Sequence, residues 1–192
     1  LADAAGIAAA ARISLTKRIP VAAGLGGGSA DAAAILKALI RLWQVDTERI
    51  DLAKMAISLG ADVPVCIAKQ PSFVTGVGEQ IDRGPSLPIA GVLLVNPNEA
   101  LPTADAFAAF SRPFSVAGHF TAEPRDVADL VELLVQRRND LSPDVLQLCP
   151  ATGDVLDAIE AIPGCRLARM TGSGATCFGL FDDRAAAERA AE

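Results

Sequence analysis

The sequence predicts an α+β fold. The second half orders as strand, helices, two strands and a helix, which suits a layered α+β arrangement better than a doubly wound sheet. A proline- and glycine-bearing stretch, Gly84-Pro85-Ser86-Leu87-Pro88, is the best place for a linker between two parts, 1–86 and 87–192. The 192 residues are 51% apolar and 21% charged, enough to build a core in one ordinary domain or two small ones.

Residues 1–11 are alanine-rich, lack a basic start and run into a strand-like segment, so they read as a domain helix rather than a signal peptide. In residues 12–19, Ile13, Leu15 and Ile19 are apolar with Ser14 and Thr16 between them, the pattern of a strand with one wet face; Pro20 ends it. From Ser29, the residues Ala32, Ile35, Leu36, Leu39 and Trp43 fall at helical spacing. Asp46 or Thr47 caps a second helix that Gly60 stops. Residues 63–68 read as a strand, and residues 73–82 as a strand bent at Gly76 and Gly78. Residues 91–95 form a short apolar strand, and Thr103 caps a helix through Phe110. After a loop over 112–124, helices are predicted at 126–137 and 153–162. Strands follow at 166–170 and 175–181, joined by Thr171-Gly172-Ser173-Gly174, with a helix from Asp183.

The net charge of −6 and a pI of about 4.8 argue against a nucleic-acid binder, which carries a basic face. No apolar run approaches the ~20 residues of a membrane span. Cys66, Cys149, Cys165 and Cys177 lie far apart and His119 is the only histidine, so zinc spacing is absent and free thiols of a cytoplasmic protein are expected.

The segment Pro20-Val21-Ala22-Ala23-Gly24-Leu25-Gly26-Gly27-Gly28-Ser29-Ala30-Asp31 carries the strongest chemical signal. Glycines let a backbone approach a ligand closely, and the helix that follows offers unpaired N–H groups and the positive end of its dipole. Together these make an anion cradle suited to phosphate. It is not a Walker A loop, because Ser29-Ala30 stands where Lys and Ser/Thr are needed. Nor is it a Rossmann loop, since Ser29 takes the place of the last glycine and the preceding run is half polar. The Ser29 hydroxyl has two open roles, capping the helix or ligating Mg²⁺ or a phosphate oxygen. In Gly60-Ala61-Asp62-Val63-Pro64-Val65, Asp62 is either a solvated turn residue or a base for a substrate hydroxyl. The turn at 171–174 is either a long hairpin loop or a close approach to a ligand or to the first glycine loop.

These three motifs, in this order, resemble those of the galactokinase, homoserine kinase, mevalonate kinase and phosphomevalonate kinase superfamily, and the resemblance covers almost all of the chain. Within it, residues 25–29, the Gly-Ala-Asp-Val-Pro-Val string and Leu101-Pro102-Thr103 are most similar to the branch acting on a cytidine-diphosphate-linked methylerythritol. Val77-Gly78-Glu79 and Asn139-Asp140-Leu141 also resemble family positions. The resemblance implies a partial ribosomal protein S5 domain 2-like N-terminal domain followed by a ferredoxin-like C-terminal domain, with the acceptor between them. It implies ATP and Mg²⁺ as cofactors, and phosphorylation of the 2-hydroxyl of that small molecule in non-mevalonate isoprenoid synthesis. Carried over by motif, Gly24, Leu25, Gly26, Gly27, Gly28 and Ser29 hold the ATP phosphates, Ser29 also facing the metal, and Asp62 is the catalytic carboxylate. Thr103, Gly172, Ser173 and Gly174 lie on the acceptor side, and Lys17 lies near the nucleotide. A cytoplasmic monomer or weak homodimer is expected, without nucleic-acid or membrane partners. The alternatives are a sibling kinase of the homoserine or mevalonate type, or a non-catalytic nucleotide-binding module. The family also has strands ahead of the position of Leu1, with a catalytic lysine and cytidine contacts, and a last strand beyond that of Glu192. On this resemblance the chain is a fragment with little activity by itself.

Overall fold

The computed structural model describes residues 1–21, 23–116 and 118–192. Ala22, within the predicted glycine-loop motif, and Ala117, within the predicted 112–124 loop, lie outside the described residues. The fold is α+β. The chain divides into two compact units, one of residues 1–19 and 26–84, the other of residues 20–25 and 85–192.

The first unit is mainly helical. Helix α1 spans only Ala2–Ala5, shorter than predicted, because Gly6 turns left-handed and closes it. The predicted strand at 12–19 is not formed. Its apolar side chains Ile13, Leu15 and Ile19 alternate as a strand requires, but no strand among the described residues lies beside it to bond its N–H and C=O groups. Trp43 Nε1, at the far end of the next helix, donates to Ala10 O at 3.2 Å and ties this segment down. Helix α2 spans Gly27–Leu42 and starts two residues earlier than its apolar periodicity suggested, with Gly26 in the N-cap position at φ 63°. The predicted second helix is two elements. Asp46 caps a 3-10 turn over Thr47–Arg49, and Asp51 caps α3, Leu52–Leu59, each by accepting a backbone N–H.

Residues 63–68 also depart from the prediction, forming helix α4, Val63–Ala68, instead of a strand. An apolar run this short has no period that separates a buried strand from a buried helical turn. Pro64, in the first turn, lacks only an N–H that the helix leaves unpaired there anyway. Ala33 of α2, Ala56 of α3 and Val63 of α4 form the buried core, and the two alanines let the helices approach closely. Lys37 of α2 donates Nζ to Ile67 O at 2.7 Å, satisfying a carbonyl at the end of α4. The unit ends in an antiparallel hairpin of β1, Ser72–Thr75, and β2, Gln80–Arg83. The bend predicted at Gly76 and Gly78 is therefore a complete chain reversal. Gly78, at φ 103°, lies so close to the turn before α4 that an added methyl would stand 2.9 Å from Ala61 Cα.

The second unit holds an antiparallel sheet in the order β3-β5-β4, with β3 at Gly91–Val95, β4 at Leu167–Met170 and β5 at Cys177–Phe181. Between β3 and β4 come α5, Thr103–Ala109; α6, Val127–Val135; α7, Ser142–Leu148; and α8, Ala151–Glu160. Helix α9, Arg184–Ala190, follows β5 and is capped by Asp183, the start predicted for it. The short α7 is absent from the prediction although Pro143 stands in its first turn. Leu101, Ala106, Leu141, Val145, Ile159, Met170 and Cys177 join one core beneath the sheet. All four cysteines are free thiols. Burial, and then the neighbouring Cys149, push the Cys177 thiol up to about 11. No helix among the described residues is long and apolar enough to cross a membrane.

Candidate functional site

In the first unit the predicted residues gather at the start of α2. The first rung of that helix is Ala30 N–H donating to Gly26 O at 2.9 Å. The N–H groups of Gly27, Gly28 and Ser29 therefore project from the helix end without an intrahelical acceptor. At Gly28 an added methyl would meet open space. Ser29 is the third helical residue, not the first, so its hydroxyl does not cap the helix; the cap position belongs to Gly26. A methyl on Gly26 would stand 3.8 Å from Asp62 Oδ2, and one on Gly60 would stand 3.7 Å from Ser29 Oγ. The α3–α4 turn thus sets the Asp62 carboxylate and the Ser29 hydroxyl beside one helix end.

Asp62 occupies the N-cap position of α4, yet its carboxylate makes no capping bond and is exposed. Its charge is felt one helical turn on, where burial first and Asp62 second raise the Cys66 thiol. Lys17 is drawn to the same place. It pairs with Asp31 in the second turn of α2, and a methyl on Gly27 would stand 3.6 Å from its Nζ. One anion-facing helix end, one free carboxylate, one hydroxyl and one ammonium are therefore assembled within this unit.

The second unit contains Gly24, Leu25 and the third motif. Gly24, at φ 69°, lies against the 171–174 turn. A methyl on it would stand 2.5 Å from Gly174 O and 2.7 Å from Thr171 O, and a methyl on Gly172 would stand 2.8 Å from Gly24 O. Main chain meets main chain here, and any Cβ would push the two turns apart. The 171–174 turn is thus both things the sequence left open, the loop of the β4–β5 hairpin and a close approach to the first glycine loop. Thr171 Oγ1 also donates to Gly24 O at 3.5 Å. Thr103 is the first residue of α5, with Pro102 in the cap position, so it does not cap that helix as predicted. Its hydroxyl instead lies 3.0 Å from the Ser173 hydroxyl, joining two predicted acceptor-side residues.

Two polar residues without a predicted role hold this arrangement. Asn139 spans the α6–α7 connection and the 171–174 turn by hydrogen bonds, and Asn96 donates to Thr176 Oγ1 at 2.7 Å. The string Asn139-Asp140-Leu141 is visible in the sequence, but nothing local says which carbonyls the amide meets. No group of three or more His, Cys, Asp or Glu residues placed to hold a metal occurs among the described residues.

The family model for the GHMP kinases N terminal domain matches residues 1–70, and that for the GHMP kinases C terminal matches residues 121–192. A 4-diphosphocytidyl-2-C-methyl-D-erythritol kinase of Paramagnetospirillum magneticum is 53% identical over 191 residues, covering 100% of this chain and 67% of that protein. A protein of the same name from Rhodospirillum rubrum is 47% identical, over 98% of this chain and 62% of its own. The chain thus spans about two thirds of the length of these curated relatives. A crystal structure of a 4-(cytidine 5'-diphospho)-2C-methyl-D-erythritol kinase superposes with a TM-score of 0.78 at 34% identity, covering 99% of this chain and 69% of the other. A homoserine kinase from Cytophaga hutchinsonii shares the fold, with a TM-score of 0.69 at 19% identity over 91% of this chain and 61% of its own. Ordered glycine turns, the Asp62 turn and these matches over the full length together place the chain in the GHMP kinase family, to which it belongs in the branch of the 4-diphosphocytidyl-2-C-methyl-D-erythritol kinases.

Proposed function

We propose that this chain carries the phosphate-holding and proton-accepting residues of an ATP-dependent kinase acting on the 2-hydroxyl of 4-diphosphocytidyl-2-C-methyl-D-erythritol. The observation that supports this reading is the Asp62 carboxylate, exposed and without a capping role, set beside the open N-terminus of α2. Phosphoryl transfer asks a protein mainly for positioning and charge stabilisation. Gly24 to Ser29 present backbone N–H groups and a helix dipole to the ATP phosphates. Lys17, paired with Asp31, puts an ammonium donor at the same helix end. Asp62 accepts the proton of the acceptor hydroxyl as the hydroxyl oxygen attacks the γ-phosphorus, the bond from that phosphorus to the β,γ-bridging oxygen breaks, and ADP leaves. Thr103 and Ser173, whose hydroxyls touch each other, orient the acceptor. The Ser29 hydroxyl would hold a phosphate-bound Mg²⁺, and the ion would offset phosphate charge.

The test is ATP-dependent phosphate transfer measured on three acceptors: the cytidine-diphosphate-linked methylerythritol, homoserine and mevalonate. Expected is transfer to the first alone, with Asp62→Asn lowering kcat by about 10²–10⁴-fold and KM for ATP nearly unchanged. Preference for either of the other acceptors, or a wild-type kcat in Asp62→Asn, contradicts the assignment.

A further inference from the structure

We propose that Asn139 is a positioning residue of the phosphate loop, acting through the 171–174 turn. This rests on the kinase reading above. The side chain spends both of its donor hydrogens and one acceptor site on backbone groups. Its Nδ2 donates to Gly172 O at 2.7 Å and to Met170 O at 3.2 Å, and its Oδ1 accepts from Leu141 N–H at 3.0 Å. One amide therefore clamps both sides of Thr171 and anchors them to the start of α7. Gly172 is the residue whose Cα would carry a methyl to 2.8 Å from Gly24 O, and Gly24 in turn is enclosed by the carbonyls of Thr171 and Gly174. A shift of the 171–174 turn by a few tenths of an ångström is thus passed directly to the first residue of the glycine loop, because no flexible side chain lies between the two backbones to absorb it.

The internal bonds of the turn cannot fix it alone. Thr171 N–H donates to Thr176 O and Gly174 N–H to Thr171 O, both at 3.0 Å, which close the turn on itself. Gly172 and Gly174, at φ 54° and 82°, give it a conformation open to glycine and few other residues. Such a turn has a defined shape and takes its place from bonds outside it: Thr103 reaches Ser173, Thr171 reaches Gly24, and the Asn139 amide holds Gly172 O in the turn and Met170 O just before it. Asparagine is the residue type that can donate twice and accept at once from one short side chain. Aspartate, with the same shape, keeps one oxygen as the acceptor for Leu141 and turns the other, which has no hydrogen to donate, toward the carbonyls of Met170 and Gly172.

The test compares the wild-type chain with Asn139→Asp and Asn139→Ala. Expected in both variants is a KM for ATP raised about tenfold, the size of a lost hydrogen bond, with the KM for the acceptor raised as well because Ser173 moves with the turn, and kcat within about twofold of wild type. Amide hydrogen exchange at Thr171 and Gly174 is expected to accelerate about tenfold, while exchange in β3 and α8 stays unchanged. An unchanged KM for ATP alongside a measurable wild-type activity overturns the proposal. So does unchanged exchange at Thr171 and Gly174, which needs no ligand. A wild-type chain that uses no ATP overturns the kinase reading instead, and exchange then decides separately whether Asn139 fixes the turn.

Discussion

Asp62 and Asp140 show how neighbours decide what a carboxylate does. Both lie in turns ahead of short helices with proline in the first turn. Asp140 is fully committed to structure: it accepts Ser115 N–H at 2.7 Å, Ser115 Oγ–H at 2.8 Å and Arg138 Nε–H at 2.7 Å. The Ser115 backbone bond first, then Arg138 and the Ser115 hydroxyl, hold its carboxyl down at about 2. Asp62 makes no capping bond and is left facing the start of α2. A depressed folded-state pKa stabilises the fold above the unfolded value of about 3.9 and loses that contribution as the pH falls through the folded value. The wild-type chain should therefore lose stability between about pH 4 and pH 2 more steeply than Asp140→Asn, in urea melts across that range. Parallel pH profiles for the two proteins would show that the Ser115–Asp140–Arg138 cluster is not formed in solution. Asp62 was legible with a role because of its Gly-Ala-Asp-Val-Pro-Val string, whereas Asn139 was legible only as part of a motif and not in its role, because its partners Met170 and Gly172 lie more than thirty residues away.

Among the elements, those with a clear period were legible. The apolar stripe of α2 and the alternating or continuous apolar runs of β3, β4 and β5 all fall where their spacing puts them. Failures came where the period was missing or where a partner decides the outcome. Residues 12–19 alternate as a strand yet have no strand to pair with among the described residues. Residues 63–68 are apolar throughout, and their helical state is chosen by packing, with Val63 fully buried against Ala33 and Ala56. The end of that helix gives a direct check. Lys37→Met keeps the apolar stem but removes the donor to Ile67 O. A loss of about 0.5–1.5 kcal/mol is expected, seen as a melting temperature lower by a few degrees. An unchanged melting temperature would mean that the end of α4 is satisfied by water.

For the whole molecule, what separates a phosphate-binding GHMP fold from an inert one is whether the start of α2 holds ATP. Gly28 allows stability and binding to be read apart. Its Cβ would point into open space, and its backbone lies within an ordinary helical turn. In a helix, replacing glycine by alanine stabilises by about 0.5–1 kcal/mol. If the same open space is where the ATP phosphates lie, the added methyl must also obstruct them. The decisive measurement is a calorimetric titration of Mg·ATP into wild-type and Gly28→Ala protein, beside their melting temperatures. The expected result is a Gly28→Ala melting temperature equal to or above that of the wild type, with ATP bound at least tenfold more weakly. Equal ATP affinities in the two proteins would contradict the placement of the phosphates on the Gly24 to Ser29 loop.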